Sequence, residues 1–171
     1  AGFKHLLLVD NDEDCCRTLR HNRPDWHVVC ADMRDFDASK HQDVDLLAAG
    51  LPCPPFSIAG KQLGASDERD LFPEAVRIIE EVAPRAVLIE NVRGFLSKSF
   101  KEYRMELQAS FKRLGYTLDW RLYDSSSFGV SQSRSRVVLV AMRDEIWPYF
   151  NFPSGNETKP KPVGELLSDL M

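Results

Sequence analysis

The sequence has no glycine pattern of the form G-x-G-x-x-G, which many dinucleotide-binding domains use to bind a pyrophosphate. Its four cysteines are Cys15, Cys16, Cys30 and Cys53, and they form no C-x-x-C pair. No group of cysteines and histidines has the spacing of a zinc site, so the sequence predicts neither a metal centre nor a disulfide framework. Cysteines that stay reduced favour an intracellular compartment.

Long hydrophobic runs and an excess of positive charge are also missing. No apolar run is long enough to cross a bilayer, and none has the form of a signal peptide. The 22 Lys and Arg residues are outnumbered by 26 Asp and Glu residues, which gives a formal net charge of −4. This balance argues against a general nucleic-acid coat. It does not exclude a nucleic-acid enzyme whose basic groups line one cleft, because net charge says little about the local field.

Short apolar runs alternate with segments of helical periodicity along most of the 171 residues. The apolar runs predict strands over residues 5–9, 26–30, 45–49, 86–89, 117–123 and 136–142. The periodic segments predict helices over residues 12–21, 71–82 and 100–114, the first with Cys15, Cys16 and Leu19 facing inward. This alternation predicts an α/β fold with a doubly wound, mostly parallel sheet and helices on both faces.

One cysteine is bounded by a glycine and three prolines. Residues 50–57 read G-L-P-C-P-P-F-S and follow a predicted strand. Proline fixes φ and removes a backbone donor, so the segment can neither continue the strand nor begin a helix. A rigid turn that holds Cys53 at the carboxyl end of a strand is where open α/β sheets place their chemistry. The local sequence leaves open the alternative of a proline-rich loop with an incidental apolar cysteine.

Charged residues mark other strand ends. Asp10, Asp32 and Glu90 each end or follow a predicted strand, and such positions converge on one rim. Asp10 could accept hydrogen bonds from ribose hydroxyls, and Asp32 could accept one from an adenine amino group. The alternative for both residues is a helix cap or a solvated turn. A partly buried Glu90 is suited to act as an acid that shares a proton. The alternative is a carboxylate that only accepts hydrogen bonds from backbone amides. Arg134 and Arg136 lie two apart and predict a clamp for phosphate, carboxylate or a base carbonyl, the alternative being a solvated strand edge.

Together these segments resemble the cytosine-C5 methyltransferases that use S-adenosylmethionine. The resemblance rests on G-L-P-C at residues 50–53, E-N-V at residues 90–92 and Q-S-R-S-R at residues 132–136, in the family's order and spacing. It extends from about Gly2 to Pro153. It implies an enzyme that methylates C5 of cytosine in double-stranded DNA, a DNA (cytosine-5-)-methyltransferase of a bacterial modification system acting in the cytoplasm.

The resemblance also implies a role for each matching residue. Cys53 is the nucleophile that adds to C6, Glu90 is the acid near N3, and Arg134 with Arg136 holds the base carbonyl. Because C6 is hidden in a duplex, the base is flipped out of the helix. The implied nucleic-acid contacts are Leu51, Pro52, Ser57 and Gln132. The implied cofactor contacts are Asp10, Asn11, Asp32, Met33 and Leu71.

The sequence departs from the family pattern in four respects. Pro54 follows the nucleophile, where the family usually has Gln, and Asn11 replaces an aromatic side chain that stacks on adenine. Residues 67–71 lack the family's usual glycine, and no glycine-rich first motif is present. Pro54 bears on how the space vacated in the duplex is filled, and Asn11 bears on the affinity for the cofactor. The missing glycine bears on how the loop after Cys53 hinges.

The missing motif predicts a chain that is part of a longer or split enzyme. We expect residues 1–153 to form the catalytic domain and residues 154–171 a linker that leads into a target-recognition region. We expect the chain alone to be unable to methylate DNA, and a complementing chain is a possible partner. Two alternatives remain open from the sequence: a non-catalytic module or split-enzyme subunit that binds DNA or a partner, and an RNA cytosine-C5 methyltransferase.

Overall fold

A computed structural model describes residues 2–52, 70–155 and 160–168. The strands are β1 (Leu8–Asp10), β2 (Val28–Cys30), β3 (Leu46–Gly50), β4 (Ala86–Val92), β5 (Tyr116–Asp124) and β6 (Ser135–Arg143). The helices are α1 (Glu13–Asn22), α2 (Phe72–Val82), α3 (Lys101–Arg113) and the short α4 (Val163–Leu166). Every strand and helix predicted from the sequence is therefore present, with ends that differ by a few residues.

The strands form two sheets. β1 pairs with β2 in parallel, and a second sheet has the order β3-β4-β6-β5. In that sheet β3 and β4 are parallel, while β6 is antiparallel to both β4 and β5. Three of its four strands run in one direction, and two of its three strand pairs are antiparallel, so the chain has an α/β fold with a mixed sheet. The reversal of β6 follows from its connection, because residues 125–134 are too few for the crossover that a parallel neighbour of β5 requires.

One face of the four-stranded sheet carries the core of the described residues. Alternate side chains of β4, β5 and β6 point to this face and pack against α2 and α3. The buried members on the strands are Val87, Ile89, Tyr116, Leu118, Val137, Leu139 and Ala141, and those on the helices are Phe72, Ala75, Ile79, Leu107 and Phe111. This packing fixes the sheet, so the polar residues at its edge are held by a rigid base.

Helix α1 is capped at its N-terminus by Asp12. The Asp12 carboxylate accepts hydrogen bonds from the backbone N–H groups of Asp14 and Cys15, at 2.8 and 2.9 Å. The prediction that Cys15 faces inward is wrong: Cys16 is buried against the two-stranded sheet, whereas Cys15 is exposed. Adjacent helical residues are turned by about 100° from one another, so a narrow sheet covers one of them and not both.

Strand β4 continues through the E-N-V segment, which the sequence predicted to follow the strand. Glu90, Asn91 and Val92 pair with Val138, Val137 and Arg136 of β6, and this extends the ladder by three residues. Across the other edge of β4, Glu90 is the register partner of Gly50, the last residue of β3. In the described part of the chain, no helix combines the length and the apolar character needed to cross a bilayer.

Candidate active site

The central contact of the site joins the predicted acid to the predicted arginine. Val92 is the register partner of Arg136, and Glu90 lies two residues earlier on the same face, so the two side chains meet diagonally across the ladder. Arg136 Nε lies 2.5 Å from Glu90 Oε1. The N–H of this buried Nε does not meet hydrogen-bond geometry, so the contact is mainly an attraction between charges. The sequence motifs are thus brought together by strand register.

Arg136 can donate hydrogen bonds in addition to its contact with Glu90. Its Nη1 donates to the carbonyl oxygen of Ser135 at 2.9 Å, and Nε faces Glu90. Within residues 2–52, 70–155 and 160–168 its Nη2 has no hydrogen-bond partner. About a quarter of the Arg136 side chain remains exposed (26%), as does 44% of Glu90. The pair is therefore accessible to a ligand that approaches the sheet edge.

The entrance to the cysteine turn lies beside Glu90. Gly50 pairs with Glu90, and the next residue, Leu51, is buried in the core with 5% of its surface exposed. Pro52 is exposed. Cys53 and Ser57 lie outside the described residues. The side chain of Leu51 therefore belongs to the core, and the turn that carries Cys53 starts from this packed residue.

The remaining residues of the arginine motif lie on the connection between β5 and β6. Gln132 and Arg134 are both exposed, and β6 begins at Ser135, one residue earlier than predicted. The carbonyl oxygens of Gln132 and Arg134 accept hydrogen bonds from the Oγ and the N–H of Ser125, at 2.5 and 3.2 Å. The side chains of Gln132 and Arg134 are thus left at the surface while their backbone is fixed.

The predicted cofactor acids end neighbouring strands of the small sheet. Asp10 is the last residue of β1, its register partner Cys30 ends β2, and Asp32 follows two residues later. Asp10 Oδ1 accepts from the N–H of Asp12 at 2.9 Å, and Asp32 Oδ1 accepts from the N–H of Arg34 at 2.9 Å. Both acids therefore stabilise local turns, which is the alternative role that the sequence left open for them. Each also keeps Oδ2 without a hydrogen bond to any described residue.

The other predicted cofactor contacts divide into two groups. Asn11 is exposed beside Asp10, whereas Met33 and Leu71 are partly buried and pack against the main core. Leu71 immediately precedes α2, and its carbonyl oxygen accepts from the N–H of Ala75 at 2.9 Å. Met33 and Leu71 thus lie on the same packed cluster, which connects the segment after β2 with the start of α2.

A charged group on α2 holds the segment that carries Asp32 and Met33, and the sequence analysis missed it. Arg77 Nη2 donates to the carbonyl oxygen of Met33 at 2.7 Å, and Nη1 donates to that of Phe36 at 3.3 Å. Arg77 also pairs with Glu74 and Glu81, at 2.8 and 2.6 Å, and these carboxylates raise the pKa of Arg77 above its usual value. The i, i+3 and i+4 spacing of these charges was a signal available in the sequence.

A second unpredicted contact fixes the chain just before α2. Tyr103 of α3 donates its hydroxyl to both carboxylate oxygens of Asp70, at 2.9 and 2.7 Å. Asp70 Oδ1 also accepts from the N–H of Phe72 at 3.1 Å. Burial, followed by the hydrogen bond to Asp70, raises the pKa of Tyr103 well above its usual value. The start of α2 is therefore held to α3 by a partly buried polar contact.

Comparison with known proteins agrees with this geometry. A family model for C-5 cytosine-specific DNA methylases matches residues 1–171, the whole of the chain. The Type II methyltransferase M.NgoMIV of Neisseria gonorrhoeae is 50% identical over 171 residues, and M.NaeI of Lentzea aerocolonigenes is 46% identical over 174 residues. Both alignments cover 100% of this chain but 55% and 42% of the relatives, so the chain spans about half their length. The chain belongs to the C-5 cytosine-specific DNA methylase family.

Solved structures show the same fold at low sequence identity. A prophage-encoded protein of E. coli, described as a candidate DNA modification methyltransferase, superposes with a TM-score of 0.78 at 18% identity and covers 97% of this chain and 48% of that chain. A mutant of Spodoptera frugiperda DNMT2 superposes with a TM-score of 0.68 at 24% identity and covers 96% of this chain and 50% of that chain. These likenesses support the fold and the element order described above.

The family implies S-adenosylmethionine as the cofactor. The described residues fit its adenosine part, because Asp10 and Asp32 each retain a carboxylate oxygen that can accept from a hydroxyl or amino group. Both acids lie at the carboxyl edge of parallel strands, where nucleotides bind in open α/β sheets. The partly buried Met33 adds an apolar surface next to Asp32.

Proposed function

We propose that this protein transfers a methyl group from S-adenosylmethionine to C5 of cytosine in double-stranded DNA, within a Type II modification system of a bacterial cell. The observation that carries the proposal is the pairing of Glu90 with both Gly50 and the β6 ladder, which joins three motifs at one sheet edge. The alternatives of a non-catalytic module and an RNA methyltransferase are not favoured, because the whole-chain match is to DNA methylases.

Cys53 is the proposed nucleophile. It stands three positions after Gly50, the register partner of Glu90, in the G-L-P-C motif. Cytosine C5 is a poor nucleophile on its own. Addition of the Cys53 thiolate to C6 removes the aromaticity of the ring and places electron density on C5 and N3.

Glu90 and Arg136 are proposed to hold the base during this step. The carboxyl of Glu90 faces N3 and shares a proton with it, so the charge that the thiolate brings to the ring is neutralised. The available Nη2 of Arg136 donates to the carbonyl oxygen of cytosine, while the contact between Nε and Glu90 keeps both side chains in place. The arginine thus orients the acid and the base together.

When bound, S-adenosylmethionine would supply the methyl group of its sulfonium to C5 and leave as S-adenosylhomocysteine. Loss of the C5 proton to water then expels Cys53 as its thiolate and re-forms the C5–C6 double bond, and the proton shared at N3 returns to Glu90. On the chain's side, Asp10 is proposed to accept from the ribose hydroxyls and Asp32 from the adenine amino group. Asn11, Met33 and Leu71 are proposed to line the adenine pocket.

The DNA contacts are proposed at the surface around the sheet edge. The base reaches the site only when it is flipped from the duplex, so nearby polar groups are needed to hold the DNA backbone. Exposed Gln132 is available for this, and Ser57 is proposed as a phosphate contact, whereas Arg134 is proposed to hold the base carbonyl together with Arg136. Leu51 and Pro52 are proposed to contact the base through backbone groups. Residues 1–153 are proposed as the catalytic unit and residues 154–171 as the link to target recognition.

A methyl-transfer assay tests the proposal. Full-length protein that carries this chain is mixed with a duplex DNA library and S-adenosylmethionine labelled with tritium in the methyl group, and modified cytosines are located by bisulfite sequencing. We expect label at C5 of cytosine within one short sequence. Transfer to adenine, to cytosine N4 or to RNA in preference to DNA would contradict the proposal.

A further inference from the structure

We propose that Asp124 is a positioning residue that orients Arg134 and Arg136, and the proposal rests on the function proposed above. Asp124 is the last residue of β5, and its carboxylate accepts four hydrogen bonds. Oδ1 accepts from the N–H and the Oγ of Ser126, at 3.0 and 2.6 Å. Oδ2 accepts from Ser133 Oγ at 3.0 Å and from Ser135 Oγ at 2.9 Å. One side chain therefore binds both ends of the connection between β5 and β6.

The two serines on Oδ2 alternate with the two arginines in the sequence Ser133-Arg134-Ser135-Arg136. In extended backbone, successive side chains point to opposite faces. Asp124 is the register partner of Ser135 and lies on the same face as that serine, whereas Arg136 meets Glu90 on the opposite face. By holding Ser133 and Ser135 on its own face, Asp124 directs the arginines to the face that carries Glu90.

The shape of the connection depends on hydrogen bonds more than on burial. Its apolar side chains Phe128 and Val130 are 36% and 49% exposed, so burial does not fix it, although Phe128 makes an edge-to-face contact with Tyr123. Hydrogen bonds from Ser125 to the backbone of Gln132 and Arg134 draw the two ends together. Asp124 adds the side-chain bonds that decide which way the residues of the arginine motif face.

Four hydrogen bonds to one carboxylate also fix its charge. The bonds from Ser126, followed by those from Ser135 and Ser133, hold the pKa of Asp124 well below its usual value. Asp124 is therefore an anion that only accepts, and each serine hydroxyl that faces it must donate. This sets the direction of every bond in the group, so the connection has a single favoured arrangement before DNA binds.

The expected consequence is a loss of preorganisation when Asp124 is removed. A displacement of about 1 Å in a positioned catalytic group can cost about 100-fold in rate. We expect Asp124→Ala to lower kcat/KM for DNA by about 10- to 100-fold, through kcat, while KM for S-adenosylmethionine changes by less than about twofold. The cofactor acids lie on the other sheet, so a general loss of fold would instead change both parameters.

The test uses five variants of the full-length protein. Asp124→Ala and the double variant Ser133→Ala/Ser135→Ala remove the two halves of the same contact, and their combination is expected to be no worse than either alone. Asp124→Asn keeps the acceptor for Ser126 and can donate to the serine hydroxyls, so we expect it to recover most of the activity. Asp119→Asn is the matched control, because Asp119 is an acid of the same strand whose partner is Arg121, at 2.8 Å.

A second measurement does not depend on methyl transfer. In the 171-residue chain, the nuclear magnetic resonance signal of the Arg136 Nε–H group is expected to shift and broaden in Asp124→Ala and to stay unchanged in Asp119→Asn. If the wild-type protein transfers no methyl group, the proposed function fails and this signal still tests Asp124. An unchanged Arg136 signal, or a kcat/KM for DNA within twofold of wild type in Asp124→Ala, would overturn the positioning role.

Discussion

Arg136 and Glu90 form an ion pair across two antiparallel strands, with Nε and Oε1 2.5 Å apart. The contact depends on register, because Arg136 lies opposite Val92 and reaches Glu90 only along the diagonal. A shift of one residue would move Arg136 to the opposite face of the sheet. The ladder between β4 and β6 thus determines whether the acid and the arginine meet.

The first prediction separates activity from stability at this pair. We expect Arg136→Ala to lower kcat for methyl transfer by about 100- to 1,000-fold, because it removes a donor aimed at the developing charge. Since both side chains remain partly exposed, the free energy of unfolding should fall by about 1 kcal/mol or less. Arg121→Ala is the control, since Arg121 also pairs with an acid, on β5. Equal loss of activity in the two variants would contradict the role of Arg136.

The second prediction concerns the tether on α2. Arg77→Met keeps the length of the side chain but removes the bonds to the carbonyl oxygens of Met33 and Phe36. Because bonds from a charged donor contribute about 1.5–3 kcal/mol each, the segment that carries Asp32 should loosen, and affinity for S-adenosylhomocysteine should fall by about 10-fold or more. Calorimetric titration measures this. Arg17→Met, which alters an exposed pair on α1, should leave the affinity unchanged, and the account of the tether is wrong if both variants bind like wild type.

The third prediction is a pH dependence at Tyr103. Its pKa is raised in the folded chain, so above a pH of about 10 the unfolded chain loses this proton while the folded chain keeps it. Stability from this group is therefore complete below pH 10 and falls as pH rises further, by up to about 1.4 kcal/mol per pH unit. Tyr103→Phe should remove this part of the slope in urea denaturation. Tyr116, whose pKa is also raised by burial, contributes a similar slope that the variant leaves in place.

The same substitution should lower stability at neutral pH. Tyr103→Phe removes the hydroxyl that donates to both oxygens of the Asp70 carboxylate, which costs about 1–3 kcal/mol for a buried polar partner. A variant with wild-type stability at pH 7 and an unchanged slope above pH 10 would show that the contact contributes nothing to the fold.

The fourth prediction concerns the segment that passes over the serine-rich connection. A Cβ added at Gly155 would lie 2.7 Å from the carbonyl oxygen of Ser127, which is too close for the backbone to accommodate without moving. We expect Gly155→Ala to lower the midpoint of thermal unfolding by several degrees, as overpacking costs about 1–3 kcal/mol. Gly164→Ala is the matched control, because a Cβ at Gly164 meets no atom within 4 Å. Equal midpoints for the two variants would rule out the contact.

Much of this architecture was predictable from the chain, and the reasons are local. Apolar runs predicted the six strands, and helical periodicity predicted α1, α2 and α3. Ion pairing between Glu90 and Arg136 was not predictable from spacing, because their meeting depends on a ladder between segments more than forty residues apart. The antiparallel direction of β6, the exposure of Cys15 and the extension of β4 likewise depend on neighbours that a local pattern does not contain.

The residues that the sequence analysis missed hold segments that carry predicted site residues. Arg77 reads as an ordinary helix-surface charge, and Asp124 as an acid that ends a strand. Each acquires its role from hydrogen bonds to segments distant in the sequence or across a turn. Family motifs point to the groups that are proposed to contact the substrate, whereas these partners emerge only from the folded chain.

The central claim is that Cys53 attacks C6 of a cytosine held by Glu90 and Arg136. It is tested most directly with duplex DNA that carries 5-fluorocytosine, in which fluorine at C5 prevents the release of the enzyme after methylation. In the presence of S-adenosylmethionine, we expect the full-length protein to form a covalent adduct that mass spectrometry locates at Cys53. Cys53→Ser should form none, whereas Cys15→Ser, which changes an exposed thiol of α1, should form as much as wild type. An adduct that persists in Cys53→Ser, or methyl transfer by the wild-type protein without any adduct, would contradict the account.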